Sequence, residues 1–343
     1  MDDSRGRVAE THADQAISRM RSPREMHIIC VDVTNKCDLQ CSNCTRLLRN
    51  QTEFWDMKPE NFRLALRSLQ GFQGVIAMIG GNPCMHKQFA ELCRMFQQEV
   101  PVKRQRGLWS NNVFEHQELI AETFGFFNLN PHNDERGRKS MEKLKKLIPQ
   151  VNYFNGHSHH APLMTAMRDL YPDEREMWDR IPSCDINKSW SATIIENQGN
   201  LRVYFCEVAA SFDLARRQDH GYPVTERWWD TSISQYSSQV RHFCPGCGVP
   251  ARLKGHLDIE QVDTYTKTNA DIAQQSLKKR RRIVEIEGLA DADKLKNSFV
   301  NYNVHHALTD HGMIQRDGFI GGIYSQNGRY YCVPDSENAK LAE

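Results

Sequence analysis

The sequence lacks both a long hydrophobic run and an excess of charge of one sign. No stretch reaches the roughly 20 consecutive apolar residues that a membrane-spanning helix needs. Residues 1–25 are polar and charged, without the apolar segment of a secretory signal, so we expect a cytoplasmic protein. Lysine and arginine number 44 against 43 acidic residues, which argues against nucleic acid or another bulk polyanion as a partner.

Cysteine, in contrast, is abundant. The 343-residue chain has eleven cysteines, whereas a secreted disulfide scaffold would be much shorter, so reduced thiols are expected. Seven of them form two groups, at 37–44 and 184–247. The other four lie in apolar runs and are interpreted as small core residues: Cys30, Cys84, Cys93 and Cys332.

Short apolar runs alternate with helical patterns from residue 26 to about residue 154. The sequence predicts strands at 26–33, 74–79, 107–110, 125–130 and 151–154, and helices at 59–69, 87–100, 116–124 and 140–148. Alternation of this length predicts a parallel sheet or barrel with helices outside. Parallel barrels carry their chemistry on loops at the C-terminal ends of the strands, and the first cysteine group follows the first strand.

The densest cysteine motif is CDLQCSNC at residues 37–44. A [4Fe–4S] cube takes four ligands, usually cysteines, and the next cysteine along the chain is Cys84. Three local ligands would leave one iron open for a substrate-like molecule. A structural zinc site needs four Cys or His ligands, and the nearest histidines, His27 and His86, are poorly spaced for one. Zinc binding and unrelated structural thiols are the alternatives.

This CxxxCxxC loop resembles the signature of the radical S-adenosylmethionine (SAM) superfamily. The resemblance implies that Cys37, Cys41 and Cys44 bind a [4Fe–4S] cluster whose open iron chelates the amine and carboxylate of SAM. Reduction of that cluster would cleave SAM to a 5′-deoxyadenosyl radical. The resemblance also implies an α/β fold with a partial (β/α)6, TIM-like barrel at 25–182, and a flavodoxin- or ferredoxin-type reductant. The residue before the third cysteine is commonly aromatic in the family but is Asn43 here, so adenine packing must come from elsewhere.

Two loops after later strands extend the resemblance. GGNP at 80–83 stands where the family often has Gly-Gly-Glu-Pro against the SAM amino group. The glycines allow close backbone approach, and the asparagine keeps an amide oxygen as an acceptor. SNN at 110–112 resembles the family's Ser/Thr-Asn-Gly segment near the methionine or ribose. An ordinary Gly-rich turn is the alternative for the first loop. The implied SAM-binding residues are Gly80, Gly81, Asn82, Ser110 and Asn111.

The second cysteine group surrounds a predicted hairpin. Strands predicted at 191–195 and 201–205 flank a Gly-containing turn. The arrangement around them resembles the twitch domain, the shortened relative of the SPASM domain, and is most similar to aminocyclitol dehydrogenases of the butirosin type. It implies a twitch-like domain at 183–254 that binds a second, auxiliary [4Fe–4S] cluster. A structural zinc site is the alternative. The four implied ligands are Cys184, Cys206, Cys244 and Cys247.

Three residues after the fourth predicted strand, His132, Asn133 and Asp134, are candidates to face a substrate. A helix N-cap role is the alternative for the last two. The histidines at 157–160 are interpreted as exposed loop residues rather than a metal site, and the basic run at 278–282 as a solvated helix face.

The two ends of the chain carry less information. Residues 1–24 are predicted to be a flexible tail. The extension at 255–343 is predicted to be mainly helical over 257–284, with a hairpin at 319–333. It could cap the barrel mouth or mediate a homodimer.

The sequence therefore predicts a radical SAM enzyme acting on a small molecule. The preferred reaction is oxidation of a polar natural-product precursor, such as a carbohydrate or aminocyclitol alcohol, to a ketone. The alternatives are modification of a ribosomal peptide, redox-neutral rearrangement of a sugar or nucleotide, decarboxylation and carbon–carbon coupling. The alternatives that are not enzymes are an electron carrier and a zinc-stabilised binding module.

Overall fold

The computed structural model describes residues 11–151, 153, 155–157, 160–188, 192–253, 255–275, 282–292 and 330–332. The strands are β1 (Ile28–Thr34), β2 (Val75–Gly80), β3 (Arg106–Ser110), β4 (Phe126–Leu129), β5 (Thr193–Asn197), β6 (Asn200–Tyr204), β7 (Tyr222–Pro223), β8 (Val262–Tyr265), β9 (Arg282–Glu285) and β10 (Tyr330–Cys332). The helices are α1 (His12–Ser18), α2 (Pro59–Ser68), α3 (Phe89–Glu99), α4 (Gln117–Thr123), α5 (Glu135–Leu147), α6 (Met167–Leu170), α7 (Glu174–Arg180), α8 (Glu207–Arg216), α9 (Ser237–Phe243), α10 (Ala270–Gln274) and α11 (Leu289–Ala292).

A single eight-stranded sheet organises the described part of the chain, in the order β10-β4-β3-β2-β1-β5-β6-β7. Strands β1 to β4 are parallel, and β5 joins the other side of β1, also in parallel. The β5–β6 hairpin then continues the same sheet in antiparallel fashion. The predicted α/β class with a parallel-dominated sheet is confirmed. The C-terminal ends of β1 to β4 meet at one edge, which we call the loop edge.

Helices α2 and α3 cover the sheet because their apolar residues recur on one face. Phe62 and Leu66 of α2 and Phe96 of α3 are buried, and the rings of Phe62 and Phe96 pack edge to face at 5.8 Å. Cys93 is buried in the same layer, as expected for a small core residue. None of the described helices has the length and apolar character required to cross a membrane.

After β4 the chain departs from a regular series of βα units. Val151 and Tyr153, within the strand predicted at 151–154, are not in a strand, and residues 152 and 154 lie outside the described set. Between residues 155 and 188, the described segments form α6, α7 and 3₁₀ turns instead of strands. The neighbour of β4 at the sheet border is β10, which runs antiparallel to it.

The predicted tail is structured from residue 11 onward. Helix α1 buries Ala13, Ala16 and Ile17, which follow one another at helical spacing. This face packs on α7 and α9, and Arg21 N–H donates to Asn187 Oδ1 at 2.9 Å. The prediction of a flexible tail is therefore wrong for residues 11–24, because three small apolar side chains are sufficient to dock a two-turn helix.

The helical prediction for 257–284 is wrong over two segments. Residues 262–265 form β8 and residues 282–285 form β9, and these two strands pair in parallel. All four residues of β8 are buried, because the strand lies against the first cysteine loop as described below. Of the hairpin predicted at 319–333, only β10 falls within the described residues; 319–324 lie outside them.

Candidate metal and SAM site

The first cysteine group occupies the loop that leaves β1 at the loop edge. Cys41 and Cys44 are half-buried, and desolvation is the main reason that the pKa of each thiol is raised. The thiols of Cys44 and Cys37 raise the pKa of Cys41 further, so the three groups are electrostatically coupled. The backbone N–H groups of Arg46 and Leu48 act in the opposite direction on Cys44. These thiols favour the ionised form only when a cation compensates the charge.

Asp38, the residue after the first cysteine, forms hydrogen bonds with the loop that follows β3. Its carboxylate accepts hydrogen bonds from Asn111 Nδ2 at 2.7 Å and from Asn112 Nδ2 at 3.1 Å. Asn111 Oδ1 also accepts a hydrogen bond from Cys37 Sγ at 3.8 Å. The SNN loop after β3 thus contacts the CDLQCSNC loop after β1.

The GGNP loop after β2 is hydrogen-bonded to the start of the loop that carries the first cysteine group. Gly81 N–H donates to Thr34 O at 2.7 Å and Asn82 N–H donates to Lys36 O at 2.6 Å. Gly80 has φ +135°, and a side chain there would meet Thr34 O at 2.2 Å. The close approach that requires glycine is therefore to Thr34, the last residue of β1.

Asn82 is fully buried, and its amide is engaged within the protein. Its Oδ1 accepts from Cys84 N–H at 3.1 Å and from Ser110 Oγ at 3.0 Å, while its Nδ2 donates to Asn112 O at 2.8 Å. The three loops that would hold SAM are thus bonded to one another before any ligand is considered.

Gly81→Ala is expected to displace the cysteine loop. A methyl group at this position would lie 2.1 Å from Lys36 O, and a backbone carbonyl cannot rotate away as a side chain can. Overpacking of this kind costs about 1–3 kcal/mol of unfolding free energy, measured by urea denaturation. Gly288→Ala is the matched control, because its nearest neighbour is Asp169 O at 4.0 Å. Equal stability of the two variants would contradict the expectation.

Asn43 anchors the extension to the cysteine loop. Its N–H donates to Asp263 Oδ1 at 2.7 Å, and its Oδ1 accepts from Thr264 N–H at 2.9 Å. One residue earlier, Ser42 Oγ donates to Leu257 O at 2.7 Å. Burial raises the pKa of Asp263 to about 6, and the Asn43 N–H and Arg49 offset part of that rise. The position that is commonly aromatic in the family is therefore used here to bind β8.

Asn43→Ala is expected to loosen the extension. The change leaves the buried Thr264 N–H without its acceptor, which costs about 1–3 kcal/mol. Asn43 also has φ +47°, a conformation that Asn tolerates better than Ala. Urea denaturation should show the loss, and limited proteolysis should cut within 255–275 sooner. The control is Asn200→Ala, an exposed position; an equal loss in the control would contradict a specific anchor.

The residues after β4 are divided between two roles. Asp134 is the N-cap of α5, accepting from Gly137 N–H at 2.8 Å, which is the alternative considered for it. Asn133 N–H donates to Asn155 Oδ1 at 3.0 Å. His132 lies 2.5 Å from Asp258, measured from Nδ1 to Oδ2. Of the three candidates, it is His132 that joins a cluster of ionisable side chains.

That cluster is centred on Asp258, whose side chain is 1% exposed. His157 Nδ1 lies 2.8 Å from the other oxygen of the carboxylate. The imidazole of His160 bonds to Ser42 O at 2.9 Å and lies edge to face with that of His132 at 6.4 Å. Asp258 was not among the residues expected from the sequence, because it is a single acidic residue in an unrecognised extension. The cluster adjoins the cysteine loop at the loop edge.

The second cysteine group converges from three separate segments. Cys184 follows a 3₁₀ turn after α7, Cys206 is the N-cap of α8, and Cys244 and Cys247 follow α9. Burial raises the pKa of Cys206 to about 12, with Cys184 adding to the effect. Burial also raises the pKa of Cys244 well above its usual range, and the other three thiols of this group raise it further. The four thiols therefore lie close enough to interact.

Neither cysteine group forms a compact single-ion site. In the part of the chain that the structure describes, no three His, Cys, Asp or Glu side chains are placed to hold one metal ion. Zinc with sulfur ligands at 2.3 Å would bring the sulfurs to within about 3.8 Å of one another. A cube of four irons holds its thiolates farther apart, and cysteine thiolates are the ligands that such a cube takes.

Comparison with known proteins gives structural matches. No family model matches the chain, and no curated protein matches it. The structure is similar to BtrN in complex with AdoMet and 2-DOIA, with TM-score 0.44 and 18% identity, covering 65% of this chain and 92% of BtrN. It is also similar to Streptococcus suis SuiB bound to precursor peptide SuiA, with TM-score 0.38 and 11% identity, covering 70% and 73%.

A second SuiB structure, bound to S-adenosylmethionine, matches with TM-score 0.25 and 16% identity, covering 31% of this chain and 24% of SuiB. At these identities and TM-scores the three matches carry no argument about family or reaction, and the function is argued from the chain's own residues.

Proposed function

We propose that this protein is a radical SAM enzyme that oxidises a small polar substrate. The observation that carries the proposal is the coupled set of Cys37, Cys41 and Cys44 in one loop, with the loops after β2 and β3 bonded to it. A [4Fe–4S] cluster on these thiols would supply the electron that cleaves SAM to methionine and a 5′-deoxyadenosyl radical. A flavodoxin- or ferredoxin-type protein would deliver that electron.

The groups proposed to hold SAM lie on the two loops that contact Asp38 and the backbone of residues 34–36. Ser110 and Asn111 are nearly buried and occupy the end of β3, beside Cys37. Gly80, Gly81 and Asn82 occupy the end of β2. Because the Asn82 amide is already paired within the protein, its proposed part is to fix the loop, leaving backbone groups of this segment to meet the SAM amine.

The second cysteine group supports oxidation over a redox-neutral reaction. Four thiols would complete the coordination of an auxiliary [4Fe–4S] cluster, so that no iron is left for substrate binding. A closed cluster can still accept an electron. Oxidation of an alcohol carbon needs such an acceptor, because the substrate radical left after hydrogen abstraction must lose one more electron and a proton to become a ketone.

The His132–Asp258 pair is suited to take that proton. A carboxylate bonded to imidazole Nδ1 fixes the orientation of the ring and leaves Nε2 as the nitrogen that can accept a proton. His132 would accept the proton of the substrate hydroxyl as the carbon–oxygen double bond forms. Asp258 would act as a positioning residue, since its side chain is buried and bonded to His157 as well. The neighbouring polar side chains suit a hydroxylated substrate such as a carbohydrate or aminocyclitol.

The test is deuterium transfer from candidate alcohols. The reconstituted protein, SAM and dithionite would be incubated anaerobically with carbinol-deuterated polyols, sugars and aminocyclitols. Oxidation predicts a ketone together with deuterium in 5′-deoxyadenosine, one per product. SAM cleavage with deuterium transfer but an isomerised or decarboxylated product would overturn the oxidation while retaining the radical mechanism. Absence of SAM cleavage in the fully loaded protein would overturn the whole proposal.

A further inference from the structure

A buried ion-pair network lies between the two cysteine groups. The guanidinium of Arg46 lies 2.7 Å from Asp32, measured from Nε to Oδ1, and 2.8 Å from Glu207, measured from Nη1 to Oε2. The three side chains are 7%, 5% and 4% exposed. Charges this deeply buried are costly to maintain and are retained only when they are paired. The three ionisable side chains therefore form one buried cluster.

The position of this pair in the chain is its unusual feature. Arg46 is two residues after Cys44, and its own backbone N–H is directed at the Cys44 sulfur. Glu207 is the residue after Cys206 and the first residue of α8. Asp32 lies on β1, which leads into the first cysteine loop. A single contact between side chains thus joins the loop of one cysteine group to the loop of the other.

An arginine guanidinium keeps its positive charge in proteins. Burial alone would lower the pKa of Arg46, but the carboxylates of Asp32 and Glu207 raise it above its usual range. A planar fork can address two carboxylates at once, which a lysine ammonium at the same position does less well. Burial raises the pKa of the Glu207 carboxyl and the Arg46 guanidinium lowers it, so the guanidinium is held between two carboxyl groups beside both sets of thiols.

We propose that the Arg46–Glu207 pair is an electrostatic bridge that sets the reduction potentials of both clusters together. The inference rests on the proposed function, since it requires two clusters. A cluster becomes more negative when it gains an electron, so a nearby cation raises its potential and a nearby anion lowers it. Because the pair is close to both loops, one change in its charge should shift the reduction potentials of the SAM-binding cluster and the auxiliary cluster in the same direction.

The sign of the effect differs between the two partners. Glu207→Gln removes a negative charge while leaving Arg46 paired with Asp32, so both potentials should rise, and the auxiliary cluster should respond more. Arg46→Met removes the positive charge, so both potentials should fall. The double variant should lie between the two single variants. Because Arg46→Met leaves two buried carboxylates without their cation, Glu207→Gln is the primary variant.

Arg106→Met is the matched control. Arg106 is also a buried guanidinium, but backbone carbonyls hold it, with Nε donating to Thr123 O at 2.5 Å and Nη1 to Val100 O at 2.7 Å. It begins β3, at the edge opposite the cysteine loops. Its removal should cost stability without moving either potential.

The experiment is an EPR-monitored redox titration of the full chain after anaerobic reconstitution, with each signal assigned by variants that lack one cysteine group. Shifts of both clusters in the same direction, opposite for Glu207→Gln and Arg46→Met, are the expected result. Unmoved potentials, or a shift confined to one cluster, in protein that retains its full iron content would overturn the bridge. A wild-type protein that binds fewer than two clusters would instead overturn the proposed function.

Discussion

Replacing Cys37, Cys41 and Cys44 together by alanine is expected to abolish reductive cleavage of SAM. The three thiols are the proposed ligands of the cluster that holds SAM, and all three lie in the loop after β1, each of them half-buried. Without them there is no iron to chelate the methionine group and no electron donor beside the sulfonium. Formation of 5′-deoxyadenosine under dithionite, followed by chromatography, should fall to the level of protein-free controls.

The matched control for this variant is Cys93→Ala. Cys93 is more deeply buried than these three, packs in α3 among apolar side chains and belongs to neither cysteine group. Its replacement should cost a little stability and leave 5′-deoxyadenosine formation unchanged. Cleavage of SAM at the wild-type rate by the triple variant would show that the radical chemistry does not depend on this loop.

Cys206→Ala is expected to eliminate product while sparing SAM cleavage. Cys206 is the N-cap residue of α8, and its thiol pKa is raised to about 12, mainly by burial, with the N–H groups of Val208 and Ala209 offsetting part of the rise. Loss of this ligand should remove the auxiliary cluster and, with it, the acceptor for the second electron. The first cluster uses a different loop, so 5′-deoxyadenosine should still form, uncoupled from ketone formation.

The measurement pairs 5′-deoxyadenosine with ketone in the same reaction, for the wild type, Cys206→Ala and Cys93→Ala. The ratio of ketone to 5′-deoxyadenosine should drop to near zero only in Cys206→Ala. A normal ratio in that variant would mean that the second cysteine group is structural. Simultaneous loss of both products would mean that the two cysteine groups are coupled in folding.

Elements with strong periodicity could be predicted from the sequence. The four parallel strands β1 to β4 and the helices between them are apolar runs and amphipathic stretches, and their positions agree with the structure to within a few residues, except that α5 begins earlier. Helix α1 could not be recognised, because its apolar face consists of Ala13, Ala16 and Ile17 within a polar segment. Strand β8 could not be predicted either, because the strand is stabilised by tertiary contacts with Ser42 and Asn43 rather than by its own sequence pattern.

Some features of the candidate site could likewise be predicted from the sequence, and others could not. The cysteine spacing is local and could be read directly, as could the GGNP and SNN loops. Asp258 and Glu207 could not be found, since each is an ordinary acidic residue until the fold brings it to His132 or Arg46. The sequence also offered no reason to expect that Asn43, a departure from the family pattern, binds the extension.

The most direct test of two iron–sulfur clusters is the metal content of the anaerobically reconstituted protein, measured for iron and zinc beside the Cys37, Cys41 and Cys44 triple alanine variant. Two [4Fe–4S] clusters predict about eight irons per chain in the wild type and about four in the variant, with no zinc. About four irons falling to nearly none, with one zinc retained in both, would contradict the account. The second cysteine group would then be a structural zinc site, and the oxidation would have no internal electron acceptor.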